Sequence, residues 1–379
     1  MKIDVGVYYF PNYHVDTRNE LVHGKAWTEW KLVEAARPRW KGHRQPRLPL
    51  HGWEDEADPA CMAGKIDLAA DNGVDFWIFD WYMYDDGPFL QRALEEGYLK
   101  APNEGKVKFA LMWANHDWVD IHPQKLAEKP RLLYPGKVSG ESFRRITDYA
   151  IQAYFSRPSY YTIDGAPYFS FYELSKLMET FGTVEATRAA LDDFRGRVRA
   201  AGHPGVHLNA VVWGNPIIPG ECTAADPVAL VQALGFDSVS SYVWIHHVPL
   251  TGTPADPNET PYDEVRDAYF RYWDQAEAQF SLPYYPNLTM GWDSTPRTVQ
   301  SDIWDPAVGY PFMGTIGGNT PAAFREACAA VKSRLDGKKG GHSIVTVNAW
   351  NEWTEGSYLE PDTENGTGYL EALRAVFGK

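Results

Sequence analysis

A pair of acid residues near the C-terminus has the spacing that acid–base chemistry requires. Glu352 and Glu355 lie in the run Asn-Glu-Trp-Thr-Glu-Gly at 351–356, and carboxylates three residues apart face one ligand if the segment turns helically. Because neighbouring like charges push their pKa values apart, one carboxyl can hold a proton while the other has lost its own. That asymmetry suits proton transfer at a glycosidic bond. A solvated acid pair at a helix start is the ordinary alternative, since acids are favoured there.

The residues around this pair favour a carbohydrate ligand. Nearly every predicted strand ends in aromatic and polar residues, and in a parallel barrel all those ends lie on one face. Flat aromatic rings match the apolar C–H faces of a sugar, and amides and carboxylates match its hydroxyls. A single aromatic residue is more often part of the core, so the argument rests on the whole set. The candidate substrate-binding residues are Tyr8, Tyr9, Tyr13, His14, Glu29, Trp30, Asp80, Trp81, Trp113, Asn115, His116, Tyr172, Trp213, Tyr242, Trp292, Asn351 and Trp353.

Other site chemistries find no support in the sequence. The scattered histidines have no metal-ligand spacing, and the adjacent His246 and His247 would point to opposite sides of a strand. The three cysteines are far apart and form no CxxC pair. No GxSxG anchor marks a serine nucleophile. We therefore expect no catalytic metal and no cofactor.

The elements that must position these residues alternate along the chain. Short apolar, aromatic and β-branched runs bounded by Gly, Pro, Asn or Asp are typical of strands. Most are near-continuous rather than alternating, which favours strands of a parallel sheet covered on both faces. The predicted strands are 3–10, 74–81, 107–113, 167–173, 207–213, 238–244, 285–292 and 343–350.

Helical patterns fall between the predicted strands. They are residues 58–72, 141–156, 184–201, 261–279, 320–335 and 367–377. Two begin with a capping residue followed by Pro, Asp58-Pro59 and Thr320-Pro321. Eight strands alternating with helices predict an α/β fold, a (β/α)8 TIM barrel with long βα loops and one domain over 1–379. A doubly wound sheet is disfavoured because no GxGxxG follows the first strand.

Composition limits the classes of protein that remain. The chain has 379 residues, a net charge of −14 and 15 Trp. An acidic chain lacks the electrostatic footprint for a nucleic-acid backbone, and no apolar run reaches the roughly 18 residues of a membrane span. From the aromatic and polar residues at the strand ends, we expect the partner to be an oligosaccharide or polysaccharide substrate. No signal peptide precedes the first strand, so we expect a cytoplasmic protein if Met1 is the native start, and a secreted or periplasmic one if a signal peptide was trimmed.

Four motifs, taken together, resemble glycoside hydrolase family 99, the endo-α-mannosidases, and more closely the family 99-like or WbsX-like domains. They are Tyr-Tyr-Phe-Pro-Asn-Tyr-His at 8–14, Thr-Glu-Trp at 28–30, Trp-Ala-Asn at 113–115, and Asn-Ala-Trp-Asn-Glu-Trp-Thr-Glu-Gly-Ser-Tyr-Leu-Glu-Pro-Asp at 348–362. The resemblance spans nearly the whole chain. It implies a (β/α)8 barrel.

The same resemblance implies a mechanism. The first Glu of the pair acts as a base on the 2-hydroxyl of the sugar, whose oxygen displaces the leaving group and gives a 1,2-anhydro sugar. The second Glu is the general acid and then the base for water. Carried over, Glu352 assists O2 and Glu355 is the acid/base, with retained configuration. The sequence differs from the mannosidases at Thr354, where they usually carry His.

Three functions follow from these observations. The first is a retaining glycoside hydrolase acting on α-linked, manno-configured or related glycans. The second is a glycosyltransferase or transglycosylase of bacterial polysaccharide assembly, a label that the WbsX-like branch carries in places, although the sequence has no DxD motif. The third is a non-catalytic glycan-binding barrel. Product analysis with nucleotide sugars and with water as acceptor separates the first two, and binding without turnover would identify the third.

Overall fold

The chain folds around a parallel β-barrel in the computed structural model, which describes residues 3–338 and 343–378. Nine strand segments form the barrel: β1 (Ile3–Tyr9), β2 (Phe76–Tyr84), β3 (Lys108–Trp113), β4 (Ala166–Phe171), β5 (His207–Val211), β6 (Ser238–Ser240), β7 (Tyr284–Tyr285), β8 (Asn287–Thr289) and β9 (Ser343–Asn348). Their spatial order is β7-β6-β5-β4-β3-β2-β1-β9-β8, with every pairing parallel. The predicted α/β barrel is confirmed.

The ring closes through a strand that is split in two. β7 pairs with β6 and β8 pairs with β9, and only Pro286 separates β7 from β8. Proline has no backbone N–H to give to a ladder, so it interrupts a central strand. All eight predicted strands are therefore present within a few residues of their predicted bounds, and the seventh is divided.

Ten α-helices accompany the strands in the described ranges. They are α1 (Thr17–His23), α2 (Trp30–Ala35), α3 (Pro59–Asp71), α4 (Gly140–Ala150), α5 (Leu174–Phe181), α6 (Val184–Ala200), α7 (Pro227–Leu234), α8 (Tyr262–Gln279), α9 (Pro321–Asp336) and α10 (Gly368–Phe377). The six predicted helices are confirmed, with a π-helical turn continuing α4 over Ile151–Phe155. Four were not predicted, α1, α2, α5 and α7, because they are eight residues or fewer and offer little periodicity. None of these helices has the length and apolarity needed to cross a membrane.

Excursions after the strands build the mouth of the barrel. The stretch 11–57 carries α1 and α2, and the segment after β3 forms a hairpin of Trp118–Asp120 with Arg131–Tyr134. After β9, Asn351–Glu352 pairs antiparallel with Ser357–Tyr358. The remaining short strands are Gly87–Phe89 beside β2, Thr162–Ile163 beside β4, and the parallel pair Glu259–Pro261 and Thr315–Gly317. The long loops thus lie where the strands end.

The packing between the first two strands requires a glycine. A Cβ built on Gly6 of β1 would lie 2.4 Å from Cζ of Phe76, the facing residue of β2. Phe76 cannot retreat freely, because its ring stacks on Tyr161 with centroids 3.7 Å apart. This close approach leaves no room for a side chain at position 6 between β1 and the ring of Phe76.

We expect Gly6→Ala to lower the stability of the protein by about 1–3 kcal/mol, the usual cost of overpacking a core. Gly64→Ala on α3 is the matched control, since a Cβ there meets no atom within 4 Å. Removing a helical glycine should raise stability by about 0.5–1 kcal/mol. Thermal melting followed by circular dichroism measures both, and equal melting temperatures for the two variants would contradict the packing argument.

Candidate active site

A short hairpin after β9 presents both glutamates of the predicted pair. Glu352 ends the strand Asn351–Glu352, a 3-10 turn spans Trp353–Glu355, and Gly356 returns the chain with φ +64. A Cβ on Gly356 would lie 2.7 Å from Cβ of Asp293, so both the turn and the close packing require glycine there. The backbone of Glu355 also accepts a hydrogen bond from the N–H of Asp293 at 2.6 Å. Each glutamate residue is 3% exposed.

Asn351 anchors this hairpin to the end of β1. Its Oδ1 accepts from the N–H of Phe10 at 2.8 Å, and its Nδ2 donates to the carbonyl of Phe10 at 2.7 Å. The amide side chain thus pairs with the backbone of Phe10 as a neighbouring strand would, at a point where the backbone hydrogen bonds between β1 and β9 have ended. The predicted role of Asn351 in substrate binding stays a prediction, and its observed contact is with the backbone.

One guanidinium lies between the two glutamates. Arg297 Nη1 donates to Glu355 Oε1 at 2.5 Å, and Nη2 donates to Glu352 Oε2 at 3.2 Å. The hydroxyl of Tyr310 donates to the same Glu355 oxygen at 2.8 Å. Glu355 therefore receives two strong donors and Glu352 a weaker one, which favours the ionised form of Glu355 in the unliganded protein.

A third carboxylate holds the arginine from behind. Glu29 is fully buried and lies 3.0 Å from Arg297 Nη2 and 3.1 Å from Nε. Thr354, between the two glutamates in the chain, accepts from Arg297 Nε at 2.8 Å and donates to Glu29. Asn12 donates to the other oxygen of Glu29 at 2.5 Å. The predicted candidate Glu29 thus fixes the arginine and does not line the cavity.

A second acid lies on the other side of Glu352. Tyr242 donates to Asp80 Oδ2 at 2.9 Å and lies 3.3 Å from Glu352 Oε1. The second oxygen of Asp80, Oδ1, is buried and has no hydrogen-bond partner among the described residues. An unpartnered buried carboxylate oxygen is costly, so Asp80 is suited to carry a proton or to receive a hydroxyl of a ligand.

Burial sets the protonation of the cluster. It raises the pKa of Asp80 well above the ordinary value. Burial and the neighbouring Glu355 raise the pKa of Glu352 well above its ordinary value, and burial also raises that of Glu355, while Arg297 opposes both shifts. Several carboxyls share one cation in a desolvated space, so they retain protons at a pH where free glutamates are ionised.

These groups open into a cavity lined by both polar and apolar side chains. The polar lining residues are Asp80, Asp117, Arg297, Glu352 and Glu355, together with the hydroxyl of Tyr242. The apolar and aromatic lining residues are Phe10, Tyr82, Met112, Ala114, Trp118, Val119, Ile121, Tyr172 and Ile218, with His116 and His122 among them. A mixed lining of this kind suits a small organic ligand that has both polar and apolar surface.

Six of the predicted site residues line this cavity. They are Asp80, His116, Tyr172, Tyr242, Glu352 and Glu355. The side chains of the other thirteen lie elsewhere, and strand geometry explains many of them. Successive strand residues point to opposite faces, so only alternate residues at a strand end reach the barrel interior.

The neighbours of cavity residues on the strands point outward. Trp81 packs against Tyr149 and Tyr154 on the outer side of the barrel, with ring centroids 6.4 Å and 6.1 Å away. Trp113 donates to the carbonyl of Met83 at 3.0 Å. Tyr9 donates to Glu56 at 2.9 Å. Tyr9, Trp81 and Trp113 were predicted to bind substrate, and their side chains contact other parts of the protein rather than the cavity.

The remaining predicted residues pack around the site. Tyr8 bonds the carbonyl of Ser241 inside the barrel, Tyr13 accepts from the N–H of Trp353, and His14 contacts Glu56. Asn115 brackets the backbone of Glu173, Trp213 packs on Tyr172, and Trp292 packs near Tyr310. Trp30 and Trp353 line a separate pocket beside α3. In the described ranges, no three His, Cys, Asp or Glu side chains are grouped as metal ligands would be.

Arg297 is the functional residue that sequence reasoning missed. It lies five residues after Trp292, the end of the predicted seventh strand, in a loop that offers no periodicity. Its charge was the one feature that could have identified it. The loop after the seventh strand adjoins the eighth strand, which leads to Glu352 and Glu355, and a single arginine in that loop can neutralise their charge. Trp118, His122 and Ile218 were also missed, because the hairpin and loop that carry them have no strand or helix pattern.

A parallel barrel with paired carboxylates at its mouth is the architecture of many glycoside hydrolases. Solved structures similar to this chain are of that class. A glycoside hydrolase-like protein superposes with a TM-score of 0.60 at 16% identity, covering 100% of this chain and 94% of the other. The GH99 endo-α-mannosidase from Bacteroides thetaiotaomicron, in complex with BIS-TRIS-propane, gives 0.57 at 13% identity, covering 99% and 96%. At these identities the likeness concerns the fold.

The chain belongs to the WbsX family. Residues 5–373 match the family described as Glycosyltransferase WbsX, which confirms the resemblance drawn from the four motifs. A relative from Xanthomonas campestris pv. campestris (strain B100), an uncharacterized protein WxcX, is 26% identical over 374 residues, covering 97% of this chain and 48% of that protein. The chain thus spans about half the length of the curated relatives it matches.

We expect Arg297→Met to destabilise the protein by about 3–5 kcal/mol at neutral pH, because it leaves buried carboxylates without their cation. The loss should shrink as the pH falls, since protonated carboxyls need no counter-charge. Melting temperatures of the wild type and the variant, measured from pH 4 to pH 8, test this. A gap that does not change with pH would contradict the electrostatic account.

Proposed function

We propose that this protein is a retaining glycoside hydrolase that cleaves α-linked, manno-configured or related glycans. The observation that carries the proposal is the pair Glu352 and Glu355, side by side on Arg297 in a cavity at the mouth of the barrel. The fold shared with an endo-α-mannosidase and the family membership support it.

The proposed reaction uses the pair twice. Glu352 takes the proton of the 2-hydroxyl as O2 attacks C1, the glycosidic C–O bond breaks, and Glu355 gives its proton to the leaving oxygen. In the second half, Glu355 takes a proton from water as that oxygen attacks C1, the anhydro ring opens, and Glu352 returns its proton to O2. Two inversions at C1 leave the configuration retained, and each carboxyl ends as it began.

The contacts of the unliganded site bear on how this reaction starts. Arg297 and Tyr310 favour a proton on Glu352 and charge on Glu355, whereas the reaction begins with the opposite distribution. Both distributions hold one proton in total. We infer that the bound substrate draws Glu355 away from its two donors, so that the proton comes to rest on Glu355.

Glycosyl transfer from a nucleotide sugar is the second candidate, because the family is named for it. The charges of the cavity argue against it. Asp80, Asp117, Glu352 and Glu355 line the cavity with Arg297, whose guanidinium is already paired with three carboxylates. A diphosphate would meet these acid groups beside a guanidinium that is already paired with carboxylates, whereas a neutral glycan carries no charge for them to repel. Incubation with nucleotide sugars, with and without acceptor glycans, tests for transfer.

Glu355→Gln should lower hydrolysis of glycosides with poor leaving groups on the order of 10²–10⁴-fold, the usual contribution of an acid/base residue. Glycosides with an activated aryl leaving group should lose far less in the first step, because that group departs without a proton. Glu352→Gln should impair both substrates alike. Rates on the two substrate types, with circular dichroism as the folding control, distinguish the roles.

If Glu352→Gln instead spares the activated substrate while Glu355→Gln does not, the two roles are exchanged. Full activity of Glu355→Gln on a substrate with a poor leaving group would overturn the proposal itself.

The rate should fall on the alkaline side at a pH above the ordinary pKa of a glutamate, because the acid must be protonated and burial raises the pKa of Glu355. Tyr310→Phe removes one donor that favours the ionised form. The alkaline limb of that variant should move up by about 0.5 to 1 pH unit, as expected for one hydrogen bond. Tyr149→Phe, a half-exposed tyrosine outside the cavity, is the control. A downward movement of the limb in Tyr310→Phe would contradict this account.

A further inference from the structure

A second pocket borders the turn that carries the glutamate pair. Glu352 and Glu355 line the active-site cavity, whereas Trp353, which lies between them in the chain, lines a pocket beside α3. Among the described residues, none lines both pockets. The 3-10 turn Trp353–Glu355 therefore has one cavity at each of its ends, and a ligand in the second pocket leaves the reacting groups free.

Three tryptophan rings contribute to the second pocket. Trp30 and Trp353 lie with their ring centroids 5.7 Å apart and their planes at 58°, and Trp350 is the third. The indole N–H of Trp30 donates to the carbonyl of Glu54 at 2.8 Å. That of Trp353 donates to Glu360 at 2.7 Å. Nε1 of Trp350 is buried and has no hydrogen-bond partner among the described residues. The lining thus combines flat aromatic rings with an indole donor that the protein leaves unused.

Hydrogen-bond donors and acceptors lie close together in the same lining. Lys65 is 4% exposed, and its Nζ donates to Glu360 and lies 3.7 Å from Glu54 Oε2. Glu54 is half-buried and Asp71 is exposed, so both present acceptor oxygens that a ligand can reach. A hydroxyl group donates and accepts at once, so it is the ligand group that matches this mixture.

The charged groups of the second pocket disfavour an ionic ligand. Its described lining includes three acids, those of Glu54, Asp71 and Glu360, and the ammonium of Lys65. An anion would meet the acids beside an ammonium that is already placed on one of them. A cation would compete with that same ammonium for the acids. A neutral ligand with several hydroxyls meets neither obstacle.

The chain segment beside the pocket exposes large apolar side chains. Eight such side chains are exposed in the described ranges, and three of them, Leu48, Leu50 and Trp53, fall within six consecutive residues that include two lining residues of the pocket. The segment is held in place, because the N–H of Leu50 donates to the carbonyl of Pro361 at 2.8 Å. The ring centroid of Trp53 lies 5.4 Å from that of Trp30. A fixed apolar rim beside a pocket is typical of a surface that binds a ligand.

We propose that this pocket is a second saccharide-binding site, which holds a neutral segment of a glycan outside the active-site cavity. The tryptophan rings suit the C–H faces of sugar rings, and the hydroxyls of the sugar find partners in Lys65, Glu54 and Asp71. A long glycan held here stays beside the turn that carries the glutamate pair. The inference concerns binding alone, so it does not require the hydrolysis proposed above.

Two variants change the second pocket in opposite ways. Gly64→Phe fills it, since Gly64 is an exposed lining residue on α3 and a Cβ there meets no described atom within 4 Å. Trp53→Ala removes an exposed ring from the rim. Gly196→Phe is the matched control, because Gly196 is likewise an exposed helical glycine, on α6, whose Cβ would meet no described atom within 4 Å. Circular dichroism and melting temperatures report the folding of all three.

Affinity electrophoresis in native gels measures the binding. The gels contain mannan, galactomannan, dextran or pullulan as neutral polysaccharides, and polygalacturonate as an anionic one. We expect at least one neutral polysaccharide to retard the wild-type protein. Gly64→Phe and Trp53→Ala should bind that polysaccharide about tenfold more weakly, which is the order of magnitude for the loss of an aromatic contact. Gly196→Phe should bind it as the wild type does. If one of the two pocket variants does not fold, the other decides.

Three results would overturn the proposal. They are no retardation by any neutral polysaccharide, stronger retardation by polygalacturonate than by the neutral ones, and equal retardation of the wild type and the folded pocket variants. Equal retardation would assign the binding to the active-site cavity. Retardation that depends on positions 64 and 53, without hydrolysis of any glycoside, would support the second site and contradict the hydrolase assignment. Hydrolysis without such retardation would do the reverse.

Discussion

The site depends on one buried cation held among more acid groups than it can neutralise. Arg297 contacts Glu29, Glu352 and Glu355, and its own exposure is 4%. Without it, three carboxylates would be buried with no counter-charge, at a cost that a marginally stable fold cannot sustain. With it, the charge is only partly balanced, so protons must stay on the cluster. A carboxyl that keeps its proton near neutral pH is what an acid catalyst needs.

The fold is what brings these groups together. These acid and basic groups come from widely separated parts of the chain, and they meet because each lies on or after a strand of one parallel barrel. They are Glu29, Asp80, Tyr242, Arg297, Glu352 and Glu355. Local devices then set the final geometry. Asn351 joins the hairpin to β1 through the backbone of Phe10, Gly356 allows the turn against Asp293, and Thr354 links Arg297 to Glu29.

The sequence patterns were sufficient to predict the barrel and to single out the acid pair, but not to predict which residues line the cavity. Strand runs such as 107–113 are long and apolar, and the motif at 348–362 is specific, so both were recognisable. The sequence did not show on which face of a strand each residue lies. Asp80 and Tyr82 point into the mouth while Trp81 points out, and a near-continuous apolar run hides that alternation. Arg297 and Ile218 lie in loops, whose paths are set by tertiary contacts rather than by periodicity.

The acid network and the loops around it are connected parts of the site. The groups of the network come from several parts of the ring, with Asp80 on β2, Tyr242 after β6, Arg297 after β8 and the glutamate pair after β9, and their shared hydrogen bonds make a change at one member disturb the others. The excursion after β3 is joined to the same network, because the N–H of Gln124 donates to the carbonyl of Arg297 at 2.7 Å and His122 lies 3.9 Å from Glu29. The side chain of Ile218, in the loop after β5, is apolar and forms no hydrogen bond with either glutamate, so it can change without moving them. Under the proposed function, barrels with the same pair of glutamates can then differ in the sugar they accept through loop residues of this kind.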